Sequence, residues 1–245
     1  MRAIIITPFI LLAFAACEKD KPQAQKEYIE MSLQPVFGSQ SFFMDSIYTT
    51  QEGFKVKFTE LKCYFSLFAN NSLALHQASL FDFRETDKQL FKIEGDYKQF
   101  EHLNCILGVD SSLNHLDPSA FENTSPLNIS NAGPMHWGWN PGYIFINIEG
   151  KVDTIPDANL ITDHSFSFHI GSDINAQALG WSNINWTDIG QNTHEFKLKL
   201  DLLNFLGEGS NSIQLNSEFL THSAAGQQAL TQKVVNNFKN AITPF

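Results

Sequence analysis

The chain has 245 residues, of which 43% are hydrophobic and 13% aromatic, including 22 phenylalanines. A chain of this length and apolar content can bury a substantial core, which excludes an intrinsically disordered protein. The formal net charge of −10 excludes nucleic-acid binding, because such a chain offers no cationic surface to a phosphate backbone, whereas an acidic surface suits cations.

The N-terminus has the pattern of a bacterial lipoprotein leader. A charged start and an apolar run too short to span a membrane end at Cys17, with Phe14 where a lipobox usually has leucine. We predict that residues 1–16 are a lipoprotein signal peptide, that Cys17 is lipidated, and that residues 17–27 are a tether. An ordinary signal peptide cleaved near Ala16 is the alternative. The prediction places the protein in the cell envelope, anchored by lipid to the outer membrane, in the periplasm or at the cell surface.

The remaining residues, 28–245, predict a single all-β domain. Apolar and polar residues alternate in many short segments, which favours an antiparallel β-sandwich with long functional loops. The candidate strands are Tyr28–Val36, Phe54–Phe58, Leu61–Phe68, Ala78–Phe83, Tyr97–Cys105, Gly142–Glu149, Ser165–Ile170, His194–Leu203 and, more weakly, Ile213–Leu215. Turn residues at Gly150-Lys151 predict that a strand ends there. Near the C-terminus, apolar residues at helical spacing (Ala229, Val234, Val235, Phe238 and Ile242) predict an amphipathic helix.

Two cysteines remain after Cys17. Cys63 and Cys105 could form a disulfide in an oxidising compartment, or each could be a buried free thiol among its apolar neighbours. Two cysteines so far apart do not form a zinc motif.

The segment from Ser111 to Pro141 is too long and too rich in proline and asparagine to be a strand, and loops of this length are usually functional. It contains His115. In the predicted strand Ser165–Ile170, His169 shares a face with serines, and the phenylalanines share the other face. A loop histidine such as His115 could fold over that face and pair with His169. Two imidazoles in a secreted acidic protein suit a transition metal, copper above all.

An ordered set of motifs in this region resembles the MbnP-like copper-binding proteins, which include methanobactin-associated and MopE-like surface proteins and lipoproteins of Bacteroidota. The motifs are Asn114-His115-Leu116-Asp117-Pro118, Pro126-Leu127-Asn128, Met135-His136-Trp137-Gly138-Trp139-Asn140-Pro141-Gly142-Tyr143 and Phe166-Ser167-Phe168-His169-Ile170-Gly171, with Leu61-Lys62-Cys63-Tyr64-Phe65-Ser66 upstream. The resemblance covers nearly all of the chain after the tether.

The resemblance implies a β-sandwich that binds a single copper ion through two histidines. By motif position these are His115 and His169, with His136 as a further candidate. Some members add a tryptophan that a di-haem peroxidase-type partner protein oxidises to kynurenine, but Leu113 stands at that position here. Because leucine offers no donor, we expect Cu(I), which two neutral imidazoles can bind in near-linear geometry, to be favoured. Whether calcium is bound as well stays open.

Asn114 and Asp117 are the candidates for supporting the metal ligands. Asp117, or Asp110 on the other side of His115, could accept a hydrogen bond that fixes the imidazole tautomer, or Asp117 could cap the turn at the following proline. In contrast, His76, His102 and His222 have no carboxylate or histidine neighbour at a useful spacing. The sequence therefore places them outside the site.

We expect a binding protein for copper acquisition, storage or delivery, and not an enzyme. The chain has no Gly-x-Ser-x-Gly, His-Glu-x-x-His or Cys-x-x-Cys motif. The alternative is a β-sandwich that binds a glycan or peptide, with Trp137 and Trp139 as a stacking platform. That function needs exposed rings, whereas we predict that both tryptophans are mainly structural.

Overall fold

The computed structural model describes residues 26–85, 88–138, 141–155 and 164–245. The predicted signal peptide, Cys17 and Trp139 lie outside the described residues. The strands are β1 (Tyr28–Phe37), β2 (Gln40–Ser41), β3 (Ile47–Thr49), β4 (Lys55–Asn70), β5 (Leu73–Asp82), β6 (Gln89–Glu94), β7 (His102–Leu107), β8 (His136–Gly138), β9 (Gly142–Asp153), β10 (His164–Gly171), β11 (Gln177–Ser182), β12 (Thr187–Gly190), β13 (Thr193–Asp201), β14 (Leu220–Thr221) and β15 (Ile242–Pro244). The α-helices are α1 (Ser111–Asn114), α2 (Ile129–Ala132), α3 (Leu202–Leu206) and α4 (Gln228–Ala241). Short 3₁₀ helices span Tyr97–Gln99, Pro118–Ala120, Gly133–Met135, Asp173–Asn175 and Gly209–Asn211.

The strands form two curled sheets that pack as a sandwich, and the prediction of an all-β sandwich with a C-terminal helix is confirmed. The first sheet has the order β12-β13-β1-β2, with β15 added to β13 and β6 to β1. The second has the order β11-β7-β4-β9-β10-β14, with β3 and β5 added to β4 and β8 to β9. β10 therefore lies near one edge of the second sheet.

Both sheets are mixed, which refines the expectation of an antiparallel sandwich: among the described residues most strand pairs are antiparallel, but two are not. β1 runs parallel to β13, and β10 runs parallel to β14. Parallel partners need a long crossover connection between them, so local alternation in the sequence does not reveal their pairing.

Aromatic rings join the two sheets and the helices into one core. Phe68 of β4 meets Phe91 of β6 with ring centroids 5.0 Å apart. At the other end, Phe168 of β10 packs on Phe205 of α3, which packs on Phe238 of α4, at 6.3 and 5.7 Å. The apolar stripe of α4 thus covers one end of the sandwich, as its helical spacing predicts.

Two predicted boundaries are wrong for local physical reasons. β9 continues through Gly150 to Asp153. Gly150 allows close packing and does not form a turn, since a Cβ there would lie 2.3 Å from the Phe166 ring and 2.4 Å from the Lys57 carbonyl oxygen. β13 ends at Asp201, whose carboxylate accepts hydrogen bonds from two amides of α3 and so starts a helix.

Two further segments differ from prediction. The first residues of the predicted strand Tyr97–Cys105 form a 3₁₀ turn, because the Asp96 side chain accepts a hydrogen bond from the amide of Lys98. Ile213 and Leu215 are buried but belong to no strand. Burial alone therefore made that segment resemble a strand.

Candidate metal centre

The segment between β7 and β9 is packed against the second sheet. Asp110 accepts a hydrogen bond from the amide of Ser112 and so caps α1. The Tyr64 hydroxyl donates to the Pro126 carbonyl oxygen at 2.9 Å. Burial raises the pKa of Tyr64, which keeps the phenol protonated as a donor. These bonds hold the loop, and α1 within it, against the sheet.

Asn114 connects this loop to the far end of β10. Its side chain is 1% exposed, and its Nδ2 donates to Asp173 Oδ1 at 2.8 Å while its Oδ1 accepts from the Tyr143 amide at 2.9 Å. The other oxygen of Asp173 lies 2.9 Å from His115 Nε2. Gly142 makes room for this arrangement, since a Cβ there would lie 2.3 Å from Asn114 Oδ1. Asn114 therefore supports His115 through Asp173.

The carboxylate beside His115 is Asp173, not Asp117 or Asp110. Asp117 accepts hydrogen bonds from the amide and hydroxyl of Ser119 at 2.8 and 2.7 Å, and these bonds lower its pKa. It therefore caps the 3₁₀ turn at Pro118, the second of the roles considered for it. Sequence reasoning missed Asp173, although it lies only two positions after the Phe-His-Ile-Gly motif.

His169 lies on the outer face of β10, as its alternation with phenylalanine predicts. Phe168 and Ile170 are buried, while the His169 side chain is 19% exposed. Its Nε2 lies 2.7 Å from Glu149 Oε1 on β9 and 3.1 Å from Ser167 Oγ. A second imidazole is thus paired with a carboxylate.

The two carboxylates determine which nitrogen each histidine can offer. An ionised carboxylate only accepts hydrogen bonds, so Nε2 of His115 and of His169 carries the proton toward Asp173 and Glu149. The lone pair of each ring then belongs to Nδ1, which has no hydrogen bond within the described part of the chain. A carboxylate that orients the far nitrogen of an imidazole is the usual support of a metal-binding histidine. In chemical type, the two imidazole nitrogens are therefore donors that copper accepts.

The rings of His115 and His169 do not touch each other. Among the described residues, no group of three or more His, Cys, Asp and Glu side chains is arranged to hold a metal ion. Asp173, four positions after His169, ties the loop histidine to the end of the same strand. His136 packs its ring against Tyr143, with centroids 4.7 Å apart, and burial lowers the pKa of His136.

His222 lies beside His169, so the expectation that it is remote from the site is wrong. The two rings are stacked, with centroids 4.8 Å apart and an interplanar angle of 8°. The His222 side chain is exposed, but its partial desolvation, followed by the neighbouring His169, lowers the pKa of His222. The contact arises from the pairing of β14 with β10, which joins segments some fifty residues apart.

Trp137 is half-buried and packs against the core. Its ring lies over Gly171, where a Cβ would be 2.8 Å from Trp137 Cζ3, and its centroid is 6.4 Å from that of His169. A ring covered in this way fits the predicted structural role better than a stacking platform.

Cys63 and Cys105 are buried free thiols, the second of the two alternatives, and no disulfide joins them in the structure. Burial raises the pKa of both thiols. Both therefore stay protonated and unreactive in the folded protein.

Comparison with known proteins agrees with the motifs. A family model described as MbnP matches residues 26–227, most of the chain. The chain belongs to the MbnP family. Membership of the MbnP family supports a copper-related role in general terms.

A solved structure of MbnP from Methylosinus trichosporium is similar to this chain at 13% sequence identity and a TM-score of 0.47. The match covers 85% of this chain and 93% of that one. No curated protein sequence matches the chain.

Across the residues that the structure describes, there is no helix with the length and apolar character needed to cross a membrane.

Proposed function

We propose that this protein binds a single copper ion through His115 and His169 and serves in copper acquisition, storage or delivery, without catalysing a reaction. The observation that carries the proposal is the pair of carboxylate-supported imidazoles. Asp173 holds His115 at the end of β10, and Glu149 holds His169 on the outer face of the same strand. Each ring keeps a Nδ1 lone pair that no hydrogen bond occupies within the described residues, and these two lone pairs are the proposed bonds to the ion.

The chemistry of the donors favours copper. Imidazole nitrogens bind late first-row metals, and divalent copper stands highest in their affinity order. Two neutral imidazoles alone suit Cu(I) in near-linear geometry, whereas Cu(II) needs more donors. The acidic surface, with a net charge of −10, attracts the cation.

We further propose that lipid chains on Cys17 hold the protein on the outer membrane, in the periplasm or at the cell surface. The support is the sequence of the leader, an apolar run that ends in two alanines before a cysteine. Mass spectrometry of the native N-terminus should find a diacylated Cys17. An unmodified N-terminus at another residue would refute the anchor.

The binding site is tested by copper titration of metal-free protein purified without a histidine tag. We expect one Cu(I) per chain for the wild type, and loss of tight binding in His115→Ala and in His169→Ala. Affinity should fall as the pH is lowered, because protons compete for the imidazole lone pairs. His102→Ala is the matched control, since His102 lies on β7 of the same sheet, three strands away from β10. Wild-type affinity in the double variant His115→Ala/His169→Ala would refute the proposed site.

A further inference from the structure

The imidazole of His222 is an unused donor beside the proposed site. It is stacked on His169 at 4.8 Å, and its side chain is exposed to solvent. Among the residues that the structure describes, neither ring nitrogen of His222 forms a hydrogen bond. The ring can therefore rotate toward a ligand without losing one.

The backbone around His222 is fixed. Ser223 Oγ accepts from the Gly171 amide at 3.2 Å and donates to the His169 carbonyl oxygen at 3.4 Å. Gln227 Oε1 accepts from the His222 amide at 2.8 Å. This turn holds the Cα of His222 beside β10 while its ring stays free to turn, so the local entropic cost of recruiting the ring is small.

A buried acceptor next to His169 lacks a partner. Asn147 lies directly opposite His169 in the pairing of β9 with β10, so their side chains share a face. Asn147 is 7% exposed, and within the described part of the chain its Oδ1 accepts no hydrogen bond. A buried acceptor without a donor is costly, and a water molecule bound to a metal ion at His169 would supply one.

We propose that His222 supplies a third nitrogen to the copper ion bound by His115 and His169. The inference rests on the proposed function and deepens it, because it specifies the coordination of the same ion. Three imidazoles, with a water completing the shell beside Asn147, satisfy Cu(II) as well as Cu(I), whereas two satisfy Cu(I) alone. His222 thus extends the site to the oxidised ion.

The test compares the wild type with His222→Ala, and with His102→Ala as the matched control. Cu(II) affinity is measured by competition with a chromophoric chelator, and electron paramagnetic resonance counts the coupled nitrogens. We expect His222→Ala to lower Cu(II) affinity at least about tenfold and Cu(I) affinity by less, and to remove one of three nitrogen couplings. Because His222 is exposed, its variant should melt like the wild type.

Each outcome decides the proposal. Unchanged Cu(II) affinity and unchanged nitrogen couplings in His222→Ala would overturn the role of His222 and leave the two-histidine site standing. A wild-type protein that binds no copper would overturn both. An equal loss in His102→Ala would show that the effect is not specific to the cluster, and would also overturn the role of His222.

Discussion

Replacing Gly142 by alanine should separate α1 from β9. Gly142 has φ +71°, a conformation that costs an L-residue about 1–2 kcal/mol. The new Cβ would also lie 2.7 Å from the Asn114 carbonyl oxygen, a contact that side-chain rotation cannot relieve. Overpacking of this kind costs about 1–3 kcal/mol. We expect Gly142→Ala to lower the free energy of unfolding by about 2–5 kcal/mol, and to weaken copper binding because His115 follows Asn114 directly.

The matched control is Gly133→Ala in the same loop. Gly133 has φ +50° and ψ −128°, but a Cβ there would meet nothing within 4 Å, so only the conformational cost of about 1–3 kcal/mol applies. Urea unfolding followed by tryptophan fluorescence measures both variants. Equal losses in the two variants, or unchanged copper affinity in Gly142→Ala, would refute the link between the Gly142 contact and the position of His115.

Three further predictions concern the supporting residues and the core. Asn114→Ala leaves the buried amide of Tyr143 in β9 without its acceptor, and should therefore lower the free energy of unfolding by about 1–3 kcal/mol. It should also lower copper affinity about tenfold, because Asp173 loses its anchor; a titration with wild-type affinity would contradict this. Burial lowers the pKa of His76, so its contribution to stability is fully present above the ordinary imidazole pKa of about 6.5 and is lost as the pH falls below it. Urea unfolding at a series of pH values below about 6.5 should show that the free energy of unfolding falls less in His76→Gln than in the wild type. An equal fall in the two proteins would count against burial of a neutral imidazole ring. Cys63 and Cys105 should resist iodoacetamide in the folded protein and react after unfolding, whereas rapid labelling of the native protein would contradict their burial.

The parts of the site that depend on local sequence were predictable. The face of His169 follows from strand alternation, which is a property of consecutive residues. Asn114 lies beside His115 in the chain, so its supporting position followed from the motif. The C-terminal helix was predictable for the same reason, because its apolar spacing is local.

The parts that depend on long-range pairing were not predictable. His222 reaches His169 through the parallel pairing of β14 with β10, and β14 has only two residues, too few to show a period. Asp173 meets His115 because α1 packs on Gly142, a contact between distant segments. Gly150 resembled a turn residue, although it is required where the Phe166 ring crosses β9. In each case, tertiary packing decided what the local pattern left open.

A crystal structure of the copper-loaded protein, with anomalous diffraction at the copper edge, tests the central claim most directly. We expect one copper ion bonded to Nδ1 of His115 and Nδ1 of His169, with Asp173 and Glu149 still hydrogen-bonded to the opposite nitrogens. A copper ion bound away from these two imidazoles would contradict it.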